Sequence, residues 1–347
     1  MKFAFKLLWL GLVLITCRQT ESTVDPVPVS PAGTFTNPLL NSGPDPWVVR
    51  QGDWYYYCHT VGDRVQLWKV KNLTDLSETE PKTVWKPADG LPYSRNVWAP
   101  ELHLLDGKWY LYVTAGAGDV STQRLWVLEN ASADPTEGEW TFKGQLTTAD
   151  NRYAIDANVF EFGGKRYAVW SGWEGSENVA QNLYIARMSN PWTLEGPRVL
   201  IAKPEYDWER QGAPPAVDEG PEALQHAGRL FMVFSASGCW SDDYALGLLT
   251  LTDNGDPLNP NAWKKTPQPV FTKAPDARAF GPGHCSFFRS PDGKEDWILY
   301  HANPLSGQGC GNNRSPRMQK FTWGPDGTPQ FGRPVKTGEP LPLPSGS

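Results

Sequence analysis

Five short phrases of this 347-residue chain carry an ionisable side chain ahead of a glycine turn. They are Asp45 in Gly43-Pro44-Asp45-Pro46, Glu101 in Trp98-Ala99-Pro100-Glu101, Asp156 in Ala154-Ile155-Asp156-Ala157, Glu219 in Val217-Asp218-Glu219-Gly220-Pro221 and His284 in Gly281-Pro282-Gly283-His284. One such phrase would mean little, because Asp and Pro commonly mark the start of a loop. Five in phase mean more, since gathering carboxylates is opposed by repulsion and desolvation. Several acids around one pocket suit hydrolysis of a glycosidic bond, which needs one protonated carboxyl and one ionised carboxylate. An inverting pair stands roughly 6.5–9.5 Å apart so that a water fits between sugar and base. Elements facing each other across a channel supply that gap, whereas neighbours on one strand do not. A third carboxylate helps to keep the proton on the acid.

The elements that must position these groups form an internal repeat. Each phrase leads to a short apolar strand, a turn containing glycine and an aromatic return run, as in Gly52-Asp53-Trp54-Tyr55-Tyr56-Tyr57-Cys58 and Gly107-Lys108-Trp109-Tyr110-Leu111-Tyr112-Val113. Such a unit reads as a β-hairpin. The turn glycines stand at 52, 107, 164, 228 and 293, which gives intervals of 55, 57, 64 and 65 residues. Each interval has room for four strands, one propeller blade. A period of roughly 40–45 residues, as in WD-type rings, does not fit, and a β-sandwich needs no constant phrase. The expected fold is all-β: a single-domain, five-bladed β-propeller over residues 34–347, with the first strand of each blade lining the channel.

The phrases Pro44-Asp45-Pro46, Trp98-Ala99-Pro100-Glu101-Leu102, Ile155-Asp156, Asp218-Glu219-Gly220-Pro221 and Gly281-Pro282-Gly283-His284 resemble glycoside hydrolase family 43, over about Asn37 to Val335. The resemblance implies a five-bladed propeller of inverting enzymes, with Asp45 as general base, Asp156 as pKa modulator and Glu219 as general acid. Glu222 lies three residues further on, but the family pattern places the acid before Gly-Pro. No cofactor is implied as required; His284 is expected near the channel axis, beside a calcium ion or water. Arg317 resembles an arginine that contacts the sugar near the base, and Trp98 and Glu101 are expected to line the sugar site. Phrases such as Gly283-His284-Cys285-Ser286-Phe287-Phe288 are most similar to exo-acting α-L-arabinofuranosidases of plant polysaccharide side chains or oligosaccharides. β-Xylosidases and β-galactofuranosidases share the frame, and a non-catalytic carbohydrate-binding propeller is the reading from another class.

The hairpins add candidates of their own. A return strand must come back to the channel face, so His59, Trp170, Ser235 and His301 are expected around the pocket. Trp240, in a loop beyond one return strand, is placed to stack on a sugar. Cys239 and Cys310 follow the return strands of neighbouring blades, which favours a disulfide between them, with Cys58 and Cys285 as buried thiols.

The composition holds 17 Trp, 12 Tyr and 14 Phe, most of which β-propensity assigns to strand packing. Net charge is −6 without a basic run, which argues against nucleic acid as a partner. Met1-Lys2 and the apolar stretch to Ile15-Thr16 read as a secretory leader over residues 1–17, too short to span a bilayer. Leu14-Ile15-Thr16-Cys17 resembles a relaxed bacterial lipobox, and residues 18–33 read as a flexible tether. The chain is therefore expected to be exported, as a periplasmic or outer-membrane-anchored lipoprotein or as a secreted protein. Its membrane contact would be limited to the N-terminal lipid. The remaining cysteines lack CxxC spacing, against a zinc site.

Overall fold

A computed structural model describes residues 33–347. The expected leader, the Cys17 lipobox and nearly all of the tether lie outside the described residues. Strand β1 (Thr34–Phe35) is followed by five four-stranded antiparallel sheets. The first holds β2 (Trp47–Gln51), β3 (Trp54–Cys58), β4 (Val65–Val70) and β5 (Lys82–Trp85). The second holds β6 (Arg95–Leu105), β7 (Lys108–Gly116), β8 (Arg124–Asn130) and β9 (Thr141–Leu146). The third holds β10 (Ala154–Phe162), β11 (Lys165–Gly172), β12 (Ala180–Asn190) and β13 (Thr193–Ala202). The fourth holds β14 (Ala216–His226), β15 (Arg229–Ala236), β16 (Ala245–Leu251) and β17 (Trp263–Lys265). The fifth holds β18 (Phe280–Arg289), β19 (Asp296–Asn303), β20 (Ser315–Trp323) and β21 (Pro329–Gln330). The five-bladed propeller expected from the repeat is the fold observed, and each repeated phrase is the hairpin of a blade's two innermost strands.

The aromatic return runs follow from the ring. A blade packs a neighbour on each face, so its second strand is buried on both sides and has no polar face to alternate. In β3, Tyr55 and Tyr57 pack towards the fifth blade with Phe288 and Leu299, while Tyr56 and Cys58 pack towards the second with Trp109 and Leu111. Similar cores fill the junctions of blades two and three, three and four, and four and five. A two-residue parallel bridge, Ala180–Gln181 with Ala216–Val217, also ties blade three to blade four. Among the described residues no helix is long and apolar enough to cross a membrane.

The ring closes between its first and last blades. Strand β1 pairs antiparallel with β22 (Leu341–Pro342), placing Phe35 opposite Leu341. Asn37 then copies a strand residue with its side chain: Nδ2 donates to the Met318 carbonyl and Oδ1 accepts from the Met318 N–H, each at 2.9 Å. Phe35, only 4% exposed, sits in the core shared by blades one and five. Phe35→Ala should therefore lower the unfolding free energy by about 3–5 kcal/mol, read as a reduced midpoint in urea. A shift too small to measure would mean that this seam does not hold the ring.

Candidate active site

The channel end of every blade repeats one backbone device. Asp45, Ala99, Asp156, Gly220 and His284 adopt left-handed φ values of 55°, 41°, 58°, 52° and 44°. In blades two to five the pairing register slips at this residue, as a bulge does, which turns the following side chains towards the axis. The freed N–H is taken by a side chain of the preceding blade. Asp45 N donates to His301 Nδ1 (3.0 Å), Ala99 N to Thr60 Oγ1 (2.7 Å), Asp156 N to Thr114 Oγ1 (3.0 Å) and His284 N to Ser235 Oγ (2.8 Å). In blade four Gly220 N donates to Asp156 Oδ2 (3.1 Å) instead, while Ser171 Oγ donates to the Asp218 carbonyl (2.8 Å).

This register corrects two expectations. Ala99 and Gly220, not Glu101 and Glu219, are the equivalents of Asp45, Asp156 and His284. Glu219 precedes the left-handed residue and lies partly exposed at the mouth. Glu101 follows it by two residues and lies a layer deeper, with Trp47, Asn158, Glu222 and Ser286 at the matching positions. The motif glycines have steric causes. A Cβ on Gly220 would stand 3.2 Å from the His284 ring, and one on Gly283 would stand 2.3 Å from the Tyr244 ring.

Asp45, Asp156 and Glu219 meet at the mouth. Burial alone would raise the pKa of Asp45, and holding a lone carboxylate there costs on the order of several kcal/mol. Arg314 Nη1 at 2.7 Å from Oδ1, the nearby His284 and His301 rings and the Thr60 hydroxyl at 2.7 Å from Oδ2 more than offset this. The Asp45 carboxyl is thus held well below the usual carboxylate range. Glu219 goes the other way. Burial, aided by the charge of Asp45, lifts it from its ordinary 4.5 to about 7, against the Tyr244 hydroxyl that donates to Oε1 at 2.9 Å. Asp156 is pushed well above the ordinary range by burial and by the charges of Glu219 and Asp45. His301 accepts from Asp45 N at Nδ1, and burial keeps its ring neutral, so the proton resides on Nε2.

The strand bearing Glu219 is anchored from behind. Lys265 Nζ lies 2.5 Å from Glu209 and 3.1 Å from Asp218, with both carboxylates fully buried. Below the mouth, Asn158 Nδ2 donates to both Glu101 (3.0 Å) and Glu222 (2.8 Å), and His103 lies 2.8 Å from Glu101. Burial and the neighbouring Glu101 push Glu222 well above the usual range. A calcium ion takes six to eight oxygen ligands. These carboxyls are committed to one another and to Asn158, and among the described residues no cluster of His, Cys, Asp or Glu is arranged to hold a metal.

The remaining expectations divide. Trp98 lies half-buried immediately before Ala99, in the place that Glu219 holds in blade four. Trp240 is 40% exposed in the loop above blade four, its Nε1 donating to the Ala213 carbonyl at 3.2 Å. Ser235 and His301 reach the mouth, but as supports for His284 and Asp45 rather than as open walls. Trp170 and His59 do not: Trp170 packs between blades two and three with Tyr110 and Tyr184, and His59 stacks on Trp68. A strand alternates its faces, so a displacement of one residue reverses the side chain; Ser171 and Thr60 are the residues that face the channel. Arg317 is fully buried, weakly bonded to the Ala302 carbonyl at 3.4 Å, and Arg314, three residues earlier, is the arginine on Asp45. The sequence reading also missed Tyr244, Thr114 and the stacked pair Tyr153–Trp173, whose centroids are 4.2 Å apart beside Ile155. Cys239 and Cys310 form the favoured disulfide, and Cys58 and Cys285 are buried and free.

The molecule is thus a five-bladed β-propeller with three interacting carboxyls at one end of its axis. The chain belongs to the glycosyl hydrolases family 43, whose sequence model matches residues 35–329. It is similar to an extracellular exo-α-(1→5)-L-arabinofuranosidase of Streptomyces avermitilis, 41% identical over 320 residues, covering 90% of this chain and 66% of that protein. This chain therefore spans slightly less than two thirds of that relative's length. A protein of the same description from Streptomyces chartreusis is 39% identical over 272 residues, covering 77% of this chain and 82% of the relative. The crystal structure of an α-L-arabinofuranosidase from Lactobacillus brevis superposes with a TM-score of 0.83 at 36% identity, covering 88% of this chain and 98% of that one.

A carboxyl whose pKa is higher folded than unfolded makes the fold less stable as pH rises between the two values. Glu219→Gln should therefore melt above the wild type at pH 8, with the difference shrinking below about pH 5. Equal melting temperatures at both pH values would show that Glu219 is not held in its acid form.

Proposed function

We propose that this chain is an inverting, exo-acting α-L-arabinofuranosidase of plant polysaccharide side chains or the oligosaccharides derived from them. The observation that carries this reading is the separation of proton affinity within one pit: Asp45 is held ionised and Glu219 rises to about 7. Such a division assigns base and acid. Asp45 takes a proton from water as its oxygen attacks the anomeric carbon. The bond from that carbon to the glycosidic oxygen breaks, and Glu219 gives its proton to the departing oxygen. Asp156, which accepts from the N–H next to Glu219, serves as the pKa modulator of the site and fixes the approach of the segment that carries the acid. No step requires a metal or cofactor.

The arabinofuranosyl preference rests on the relatives' descriptions; β-xylosidase and β-galactofuranosidase action on the same frame are the alternatives. The word extracellular in the names of the two Streptomyces relatives supports export. The Cys17 motif adds lipid anchoring, in the periplasm or at the outer membrane, to this proposal.

Asp45→Asn should lower kcat on nitrophenyl α-L-arabinofuranoside about 10²–10⁴-fold, and survival of full turnover would remove Asp45 as base. Wild-type kcat should be bell-shaped in pH. Its alkaline limb should fall near 7 as Glu219 loses its proton, and its acidic limb should lie below the ordinary carboxylate range. A flat profile between pH 5 and 8 would contradict the pair. Release of xylose or galactose instead of arabinose would keep the mechanism and change the sugar.

A further inference from the structure

Arg314 is the cation that offsets the buried charge of Asp45, yet it follows a segment with little means of holding itself in place. Residues 304–313 read Pro-Leu-Ser-Gly-Gln-Gly-Cys-Gly-Asn-Asn, and the only large apolar side chain among them, Leu305, is 54% exposed. Burial cannot fix such a segment. Asn303 Nδ2 donates to the Gly309 carbonyl and Gly43 N to the Arg314 carbonyl, each at 2.9 Å, and between these two points its ties lead to the loop of the neighbouring blade between Gly238 and Tyr244. Cys310 is bonded to Cys239. Asp242 accepts from the Ser306 hydroxyl and, at 2.8 Å, from Gly307 N. That blade-four loop is itself well seated: Trp240 lies against Gly212 and Gly238, and the Asp242 carbonyl accepts from Gly281 N at 2.9 Å. It ends at Tyr244, whose hydroxyl holds Glu219. One short loop therefore touches the acid directly and reaches the base through the loop it grips.

We propose that the Gly238–Tyr244 loop is the positioning element for Arg314, acting through the Cys239–Cys310 disulfide and Asp242, so that cleaving this disulfide disables Asp45 while leaving the propeller folded. The inference rests on the catalytic reading given above. Around Asp45 stand Arg314, His284, His301, Tyr57, His59, Asp156, Glu219, Tyr244 and the Thr60 hydroxyl. Burial keeps the three histidines from readily taking a proton, which leaves the guanidinium as the permanent positive charge. A displaced Arg314 should raise the Asp45 pKa and move the acidic limb of activity upward.

The test compares the oxidised protein, the same protein treated with dithiothreitol, and the double variant Cys239→Ala/Cys310→Ala, with Asp242→Asn as a second route. Thermal melting and circular dichroism report the fold, and carboxyl ¹³C NMR follows the titration of Asp45. With the fold retained, kcat should fall about 10- to 100-fold, as expected of a misplaced catalytic contact, and the Asp45 midpoint should rise. In an Arg314→Gln background the same reduction should change kcat less than about twofold, because coupled groups are not additive. The proposal is overturned if cleaving the disulfide leaves both kcat and the Asp45 midpoint unchanged, or if the loss is equally large without Arg314. Should the double variant fail to fold, reduction of the folded wild type gives the same reading. A wild type that hydrolyses no glycoside would end the catalytic reading, and the Asp45 titration would still decide where Arg314 sits.

Discussion

The site depends on a backbone constraint: a left-handed residue at the channel end of each first strand, with its N–H bound by the blade before it. Left-handed backbone is costly for residues other than glycine, and a buried N–H without a partner is costly too. The ring meets both demands at once. A bulge turns the strand inward, and a hydroxyl, imidazole or carboxyl from the adjacent blade accepts the hydrogen bond. Asp45 and Asp156 reach the axis because they occupy this position, and Glu219 because it comes one residue before it. The blades are thus joined by polar bonds at the mouth and by apolar cores further out.

That frame explains how chemically similar side chains acquire opposite proton affinities. Asp45 and Glu219 are both removed from water, which alone would raise both. Asp45 has a guanidinium and the Thr60 hydroxyl to hold its charge; Glu219 has one neutral phenol and the charge of Asp45 against it. The difference lies in the partners, since Asp45 is the more buried of the two and is still the one held ionised. Asp156 accepts an N–H from the segment that carries the acid, while its own N–H is tied to blade two.

Much of this was legible in the sequence, and the failures have a common origin. The repeat of turn and aromatic return strand revealed the blade count, because burial on two faces demands an unusual and recognisable run. The three carboxylates were legible from their phrases. The residues that accept the freed N–H groups are partly legible: Ser235 and His301 are read from the return strands, whereas Thr60, Thr114 and Ser171 are not, although all five stand seven or eight residues after the turn glycines. Selecting His59 and Trp170 came from slipping one residue in a structure of period two. Arg317 is what the resemblance implies, and Arg314 is not legible because the loop before β20 has no periodicity from which its geometry can be read. Tyr244 and Tyr153 were invisible for the same reason, as they reach the mouth from loops.

The seam between blades one and five bears on the ring as a whole. The five junctions are built alike, each an apolar core between adjacent sheets, and the pairing of β1 with β22 merely lets one of them be crossed by separate ends of the chain. The polypeptide's opening point is then a matter of connectivity and not of architecture. A circularly permuted gene, with the old ends fused and new ones cut at the exposed Gly163-Gly164 turn, would encode the same wheel around the same axle.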